Sequence, residues 1–311
     1  MHRSARTWPT NDRVDWIKSI PFLCVHAVAF AAVALGTFSW TLLAIAIGSY
    51  YLRMFGISAG YHRYFSHRSY RTGRVFQFLL ALLGATATQK GVLWWAGHHR
   101  DHHRFSDQPE DIHSPVQRGF WWSHLGWIMC RRYEETKFDR IRDFARYPEL
   151  RWLDRFHIVP AIAYAAILWV AGGIPVLLWG YFVSTVMLWH GTFLVNSLAH
   201  VVGRRRYPTA DESRNSFLIA LATMGEGWHN NHHHYQSTAN QGWFWWEVDF
   251  SYYLLRALES VGVVHGLRRP PPAVRDVLGG AEAPTQAAEA EPGRLIANGT
   301  RFAVLRGHGE R

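Results

Sequence analysis

The sequence predicts an all-α integral membrane protein with four membrane-spanning helices arranged as two hairpins. Two charge-free stretches and the placement of the basic residues predict it. Ser19 to Leu52 contains no Asp, Glu, Lys or Arg in 34 residues, and Ile158 to Gly203 contains none in 46. A bilayer core about 30 Å thick needs about 20 apolar helical residues, so each stretch suits a pair of spans. The first has turn residues at Gly36 to Trp40, the second at Gly172 to Pro175. An unusually apolar soluble core is the competing reading.

Charge sets the orientation. All 33 Lys and Arg residues lie outside both stretches, so neither turn carries one. Basic residues collect on the cytoplasmic side of membranes, which places both termini and the long middle segment there. The net charge of +10 is explained by that rule and by contact with anionic lipid headgroups. No nucleic-acid motif accompanies it. The first apolar run is followed almost at once by a second, so it reads as an anchor rather than a cleavable leader. Cys24 lies in the first span and Cys130 in the middle segment. They form no disulfide framework and no C-x-x-C metal motif.

Along the chain, residues 1–18 read as a basic cytoplasmic segment and 19–268 as one membrane domain. Residues 75–95 are apolar but end in Gln89 and Lys90. They predict a helix on or dipping into the membrane interface; a fifth span would separate the histidine clusters described next. Residues 131–156, rich in Arg with interspersed acids and aromatics, predict amphipathic surface helices. After Arg268 the composition turns to Pro, Ala, Glu and Gly, which predicts a disordered tail over 269–311. Asn298-Gly-Thr matches a glycosylation sequon, but a cytoplasmic tail is not an acceptor.

Eight histidines in three clusters carry the chemistry. They lie in HRYFSH (His62, His67), HHRDHH (His99, His102, His103) and HNNHHH (His229, His232, His233). Residues at i, i+3 and i+4 share one helix face, so each H-x-x-H-H cluster aims three imidazoles at one point. Neutral imidazole suits iron, zinc, copper and nickel. His62 and His67, five apart, diverge on a regular α-helix and need a bend or a helix end to converge. His98 and His234 extend their clusters but break the shared face. His200 closes the fourth span, with Asn196 one turn earlier; polar residues within a span are functional candidates. His26 and His190, also in spans, read as packing or hydrogen-bonding residues. His113, His124 and His157 have no such context. One structural zinc takes four ligands, usually including Cys, so nine histidines suit two metals better. Ligating imidazoles hand their other N–H to a carboxylate or carbonyl; Asp101, Asp107, Asp111 and Glu226 are near enough in sequence to serve.

These motifs, with WWAGHHRDHHRFSD, RGFWWSHLGW, FLVNSLAH and GEGWHNNHHH in this order, resemble the membrane fatty-acyl desaturases of the stearoyl-CoA desaturase type. The resemblance runs from about Gly60 to Gly262. It implies four membrane helices under a cytosolic helical cap holding two iron ions. The family's nine ligating histidines fall on His62, His67, His99, His102, His103, His200, His229, His232 and His233, and its water-linked asparagine on Asn196. It also implies the reaction: a long saturated acyl chain, O2 and two electrons give a cis double bond and two waters. An unactivated methylene has no acidic proton, so an oxygen-activating metal centre suits this chemistry where acid–base groups do not. Ala46 and Tyr50, one turn apart on the second span, are expected to help close a substrate tunnel.

The expected donor is an acyl-CoA with a delta-9-like outcome. One departure bears on that. Animal acyl-CoA members carry an Arg-Asp pair where this chain has Gly97 and His98, which leaves acyl-lipid and acyl-carrier donors open. The tail is too short for a fused b-type cytochrome domain, so electrons are expected from a separate donor, such as ferredoxin or a b-type cytochrome with its reductase. The Arg-rich 131–156 face is a candidate docking surface. A membrane di-iron hydroxylase shares the metal and the tunnel and is separated by the detailed motifs alone. A non-enzymatic membrane metal-binding protein is disfavoured because the spans hold no acidic residue to line an ion path.

Overall fold

The computed structural model describes residues 12–35 and 38–277 and is mostly helical. The expected N-terminal segment is therefore described only from residue 12. The tail beyond 277, with Asn298, lies outside the described residues, as do Gly36 and Thr37 of the first turn. Helix α1 (Trp16–Ala34) begins where the Asp15 carboxylate accepts from the Lys18 amide at 3.1 Å, and α2 (Trp40–Phe55) where the Ser39 hydroxyl accepts from Leu42. Each cap satisfies an orphan N–H of a first helical turn.

Among the described residues, three helical runs are long and apolar enough to cross a membrane: Trp16–Ala34, Trp40–Ser66 and Ile158–His200. The third is not one rod. Gly172 (φ −161°) and Gly173 (φ 66°) leave helical geometry, and the left-handed φ at 173 suits a residue without Cβ. Tyr164 and Gly180 then meet at one hydroxyl. The Ser49 Oγ lies 2.8 Å from the Tyr164 OH and 2.5 Å from the Gly180 carbonyl oxygen. In an unbroken helix those two residues would be about 24 Å apart, so the chain folds back on itself at the glycine pair.

Large apolar side chains face outward from these runs, among them Phe30 at 68% exposure and Val170 at 80%. Outward apolar surface of this kind calls for an apolar surrounding. The Trp40–Ser66 run holds two guanidiniums, Arg53 and Arg63, both fully buried; Arg63 pairs with Glu226 and Asp249, and Arg53 is held by uncharged groups. It donates to the Ser49 and Thr86 carbonyls, to Thr185 and to Ser184, and lies against the Tyr164 and Tyr181 rings.

The remaining elements pack on one end of these helices. The second run changes at Gly56 from α- to π-helix, which continues to Ser66. Helix α3 (Arg74–Ala85) packs on it, and a Cβ on Gly84 would sit 2.3 Å from the Tyr61 ring. At 12 residues α3 is shorter than the three membrane-length runs. Helix α4 (Val92–Phe105) carries the second histidine cluster and the helix His229–His234 the third. Arg71–Thr72 pairs antiparallel with Val264–His265, tying the first cluster's exit to the chain's end. Residues 131–155 form short helical turns, as expected. The tail does not begin at 269. Pro272–Arg275 is helical, and the Arg275 carbonyl accepts from the Tyr207 hydroxyl at 2.6 Å. The Pro-rich start had suggested disorder, but Pro suits a first helical turn and Tyr207 supplies the anchor.

Candidate metal centre

The π-helix settles how the first cluster converges. A π-helix closes i→i+5 hydrogen bonds, and the His67 amide donates to the His62 carbonyl at 3.2 Å. Residues five apart thus lie nearly above one another, and the two rings stand 4.8 Å apart. Helix α4 and the His229–His234 helix bring their triplets in by ordinary helical spacing.

The nine expected histidines sort into two groups. His62, His67, His99, His103 and His232 form one, and His102, His200, His229 and His233 the other; within each, the ligand atoms lie within 4.8 Å of one another. In the first group the Nε2 atoms follow at about 3 Å: His62 to His232, His232 to His103, His103 to His99, and His99 to His67. In the second, the His200 and His229 Nε2 atoms are 3.0 Å apart. The groups abut, with the His103 and His233 rings stacked at 4.4 Å.

Proton bookkeeping shows what such a centre wants. In the second group the Nδ1 atoms of His102, His200 and His233 face Asp111 at 3.1 Å, Asp107 at 2.9 Å and Asp211 at 2.6 Å. A neutral imidazole carries one N–H. If Nδ1 donates to a carboxylate, Nε2 presents a bare lone pair. Three lone pairs then converge in a buried space. In the first group, His62 Nδ1 meets Glu226 at 2.5 Å. The residues fit divalent metal ions, and an all-imidazole set with outer carboxylates suits iron among others.

Electrostatics keeps the donors ready. Burial holds His67, His99, His103, His229 and His232 well below the usual imidazole pKa, and neighbouring imidazoles add to it. These rings are neutral, the form that binds metal. Burial opposes ionisation of Glu226, yet His62 and Arg63 hold it down to about 2. Asp211 and Asp111 are likewise lowered against burial, by His233 and His102 respectively.

Three of the four expected carboxylates hold histidines. Asp101 does not; it pairs with Lys137 at 2.6 Å and Arg140 at 2.7 Å. Asp211 takes the remaining place, and nothing in the local sequence marks it. Of the histidines set aside, His113 lies with its ring 4.4 Å from that of His102, and burial pushes it down to about 3. His98 turns away to the Glu135 carbonyl at 3.1 Å, and His234 stacks on Tyr207 at 4.4 Å. His26, His190 and His124 link in a chain, Nε2 to Nε2 at 3.2 Å and Nδ1 to Nε2 at 3.0 Å, ending on Ser197.

Two cavities meet the centre. One of about 390 Å³ runs from α1 and the Lys90 segment, past Trp94, Trp95 and Trp127, to His99. A second of about 30 Å³ touches His62 and His99 of one group and His102 and His229 of the other. Trp95, His99, Thr192 and Asn196 line both. Asn196 thus sits where the larger cavity reaches the metal-binding histidines. Ala46 and Tyr50 line neither. Ala46 packs with Ala29 and Trp179, and the Tyr50 hydroxyl donates to the Ala222 carbonyl at 2.6 Å. Thr192 and Asn196, on the Ser184–Ser197 helix, line both cavities.

The sequence model of the fatty acid desaturase family matches residues 38–261. The chain belongs to the fatty acid desaturase family. Among its relatives, the sn-2 palmitoyl-lipid 9-desaturase of Nostoc sp. (strain 36) is 37% identical over 267 residues, covering 84% of this chain and 93% of the relative. The delta-9 acyl-lipid desaturase 1 of Arabidopsis thaliana is 36% identical, covering 83% and 85%. An acyl-CoA 5-desaturase of Anemone leveillei is 34% identical, covering 85% and 82%. The protein is an oxygen-dependent fatty-acyl desaturase, an oxidoreductase of fatty acid metabolism, and its apolar helices mark it as integral to the membrane.

Proposed function

We propose that this desaturase inserts a cis double bond, at a delta-9-like position, into a long saturated acyl chain held in the 390 Å³ cavity. One observation carries this reading: Trp95, His99, Thr192 and Asn196 line both that cavity and the small one between the two histidine groups. A methylene at the deep end of the cavity then lies beside both groups. Two iron ions are the cofactors, one on His62, His67, His99, His103 and His232, the other on His102, His200, His229 and His233. When bound, they supply the oxygen activation that removes hydrogen from an unactivated methylene. Asn196 holds a water against the second group.

The protein's own residues do the rest. Asp107, Asp111, Asp211 and Glu226 fix the tautomer and direction of their imidazoles. Trp94, Trp95, Trp127 and Phe193 line the cavity with apolar surface that grips the chain and excludes water. The reaction takes the acyl chain, O2, two electrons and two protons to the alkene and two waters, so an electron donor is required. Arg142, Arg146, Arg151 and Arg155 are exposed and, among the described residues, form no ion pair with a carboxylate. They suit an acidic donor such as ferredoxin or a b-type cytochrome, each with its reductase. The chain crosses the membrane four times in two hairpins, the second turning at Gly172–Gly173. Both termini and the histidine centre face the cytoplasm. Iron stoichiometry tests the assignment: wild type should hold two iron ions per chain and Asp211→Ala nearer one. Full iron in a variant lacking His102 and His229 would overturn it.

A further inference from the structure

The end of the cavity away from His99 holds two nitrogen donors that nothing among the described residues satisfies. Its lining there comes from the first turns of two apolar helices, Lys18 and Pro21 of α1 and Ile158 of the Ile158–Leu177 helix, with Lys90 and His157 between. Among the described residues no hydrogen bond or ion pair engages the Lys90 ammonium, which lies 6.0 Å from the centre of the Trp94 ring. The Nδ1 of His157 is buried and has no partner among the described residues. His157 is also the N-cap of the helix that runs from Ile158 to the break at Gly172, whose first turn has no side-chain cap, an end that carries partial positive charge.

The nearby carboxylates are engaged elsewhere. Glu134 pairs with Lys18. Asp154 accepts from the Trp94 amide at 2.8 Å and the Thr136 hydroxyl at 2.7 Å. The Lys90 backbone adopts φ 69°, and Thr88, two residues earlier, φ 58°. Left-handed backbone is unfavourable for side chains with a Cβ and persists where the surroundings impose it, often at ligand sites. Burial lowers the Lys90 ammonium from its usual pKa, a penalty that an anion beside it would relieve.

We propose that Lys90 and His157 bind the phosphate of the acyl donor's head group, and that this phosphate belongs to a membrane phospholipid. A phosphate oxygen accepts from the Lys90 ammonium and another from the His157 Nδ1–H, while the acyl chain runs past Trp94 and Trp95 towards His99. The placement favours a lipid because the lining beside Lys90 and His157 comes from the starts of α1 and of the helix that begins at Ile158, and the starts of membrane-spanning helices lie at headgroup level. Gly97 and His98 point the same way. His98 spends its Nε2 on the Glu135 carbonyl, and a Cβ at Gly97 would be 3.2 Å from the Lys137 carbonyl oxygen.

This inference rests on the reading of the cavity as an acyl site, and its test is binding rather than turnover. The iron-loaded full chain in detergent micelles is titrated, by native mass spectrometry, with ether-linked dioctadecyl phosphatidylglycerol, with the phosphate-free dialkylglycerol, and with stearoyl-CoA. Wild type is expected to prefer the phospholipid to the dialkylglycerol. Lys90→Met should cost phosphatidylglycerol about tenfold in affinity, the scale of one charge-assisted hydrogen bond. It should leave the dialkylglycerol and the iron content unchanged, and Lys90→Arg should restore most of the loss. His157→Phe should give a smaller loss of the same kind. An unchanged preference in Lys90→Met overturns the subsite, and a loss confined to stearoyl-CoA overturns its assignment to a lipid. Failure of the desaturase reading would show separately, as wild type making no new double bond in ester-linked substrate.

Discussion

His62 and His67 stand with ring centroids 4.8 Å apart because the five-residue step between them closes one i→i+5 turn of π-helix, where an α-helix would turn the two side chains about 140° apart. The π-helix is held by close approach to α3, where Gly56 and Gly84 leave no room for a Cβ. Gly84→Ala should force the Tyr61 ring aside and unseat the first histidine group. A destabilisation of about 1–3 kcal/mol is the usual scale for overpacking. Thermal unfolding and iron content should both fall, whereas Gly48→Ala, with nothing within 4 Å of the new methyl, should change neither.

Asp211 and Asp101 make a controlled pair. Asp211 meets His233 Nδ1 at 2.6 Å, while Asp101 holds only Lys137 and Arg140. Loss of a carboxylate behind a ligating histidine typically weakens metal binding about 10–100-fold. Asp211→Asn should therefore lose iron readily to a chelator, and Asp101→Asn should retain it. Iron half-life under chelation measures the difference.

This pair also shows what could be read from the chain alone. The six histidines of the two H-x-x-H-H clusters were legible because i, i+3, i+4 spacing on a helix is a local property, whereas His200 was marked only by its place at the end of a span and by the resemblance. The His62–His67 pair was legible only as a need for a bend, since nothing in GISAGYHRYFS marks a π-helix as opposed to a kink. Asp211 was invisible because it lies beside none of the histidine clusters in sequence, whereas Asp107, Asp111 and Glu226 each lie close to one. The Ala46–Tyr50 pair shows a similar limit. Helical spacing says that two residues share a face, but not which neighbour that face meets.

Substrate length should follow the observed lining. Tyr181 and Trp189 line the larger cavity, and the Tyr181 hydroxyl lies 3.1 Å from that of Thr88. Tyr181→Ala should enlarge the cavity and shift products towards longer chains, while Tyr50→Phe, outside the cavity, should leave the chain-length profile unchanged. Gas chromatography of products from mixed-length substrates reads this directly.

The buried imidazoles set a pH dependence of definite sign. His67, His99, His103, His229 and His232 are held far below 6.5 in the fold, first by burial and then by neighbouring imidazoles. Below pH 6.5 the unfolded chain therefore binds more protons than the folded one, and stability falls with acidification. The melting temperature of the metal-free protein should drop between pH 7 and 5, and the iron-loaded protein should release metal as protons compete for the same nitrogens. His232→Asn should show a shallower slope of melting temperature against pH.

The central claim is that the two histidine groups together desaturate an acyl chain. The most direct test is the fatty-acid profile, by gas chromatography–mass spectrometry, of cells expressing wild type beside His102→Ala and His232→Ala, one variant for each group. The account predicts a new cis-monounsaturated chain with wild type and none with either variant, although both accumulate in the membrane. A double bond that persists when either histidine is removed, or hydroxylated chains in place of alkenes, would contradict it.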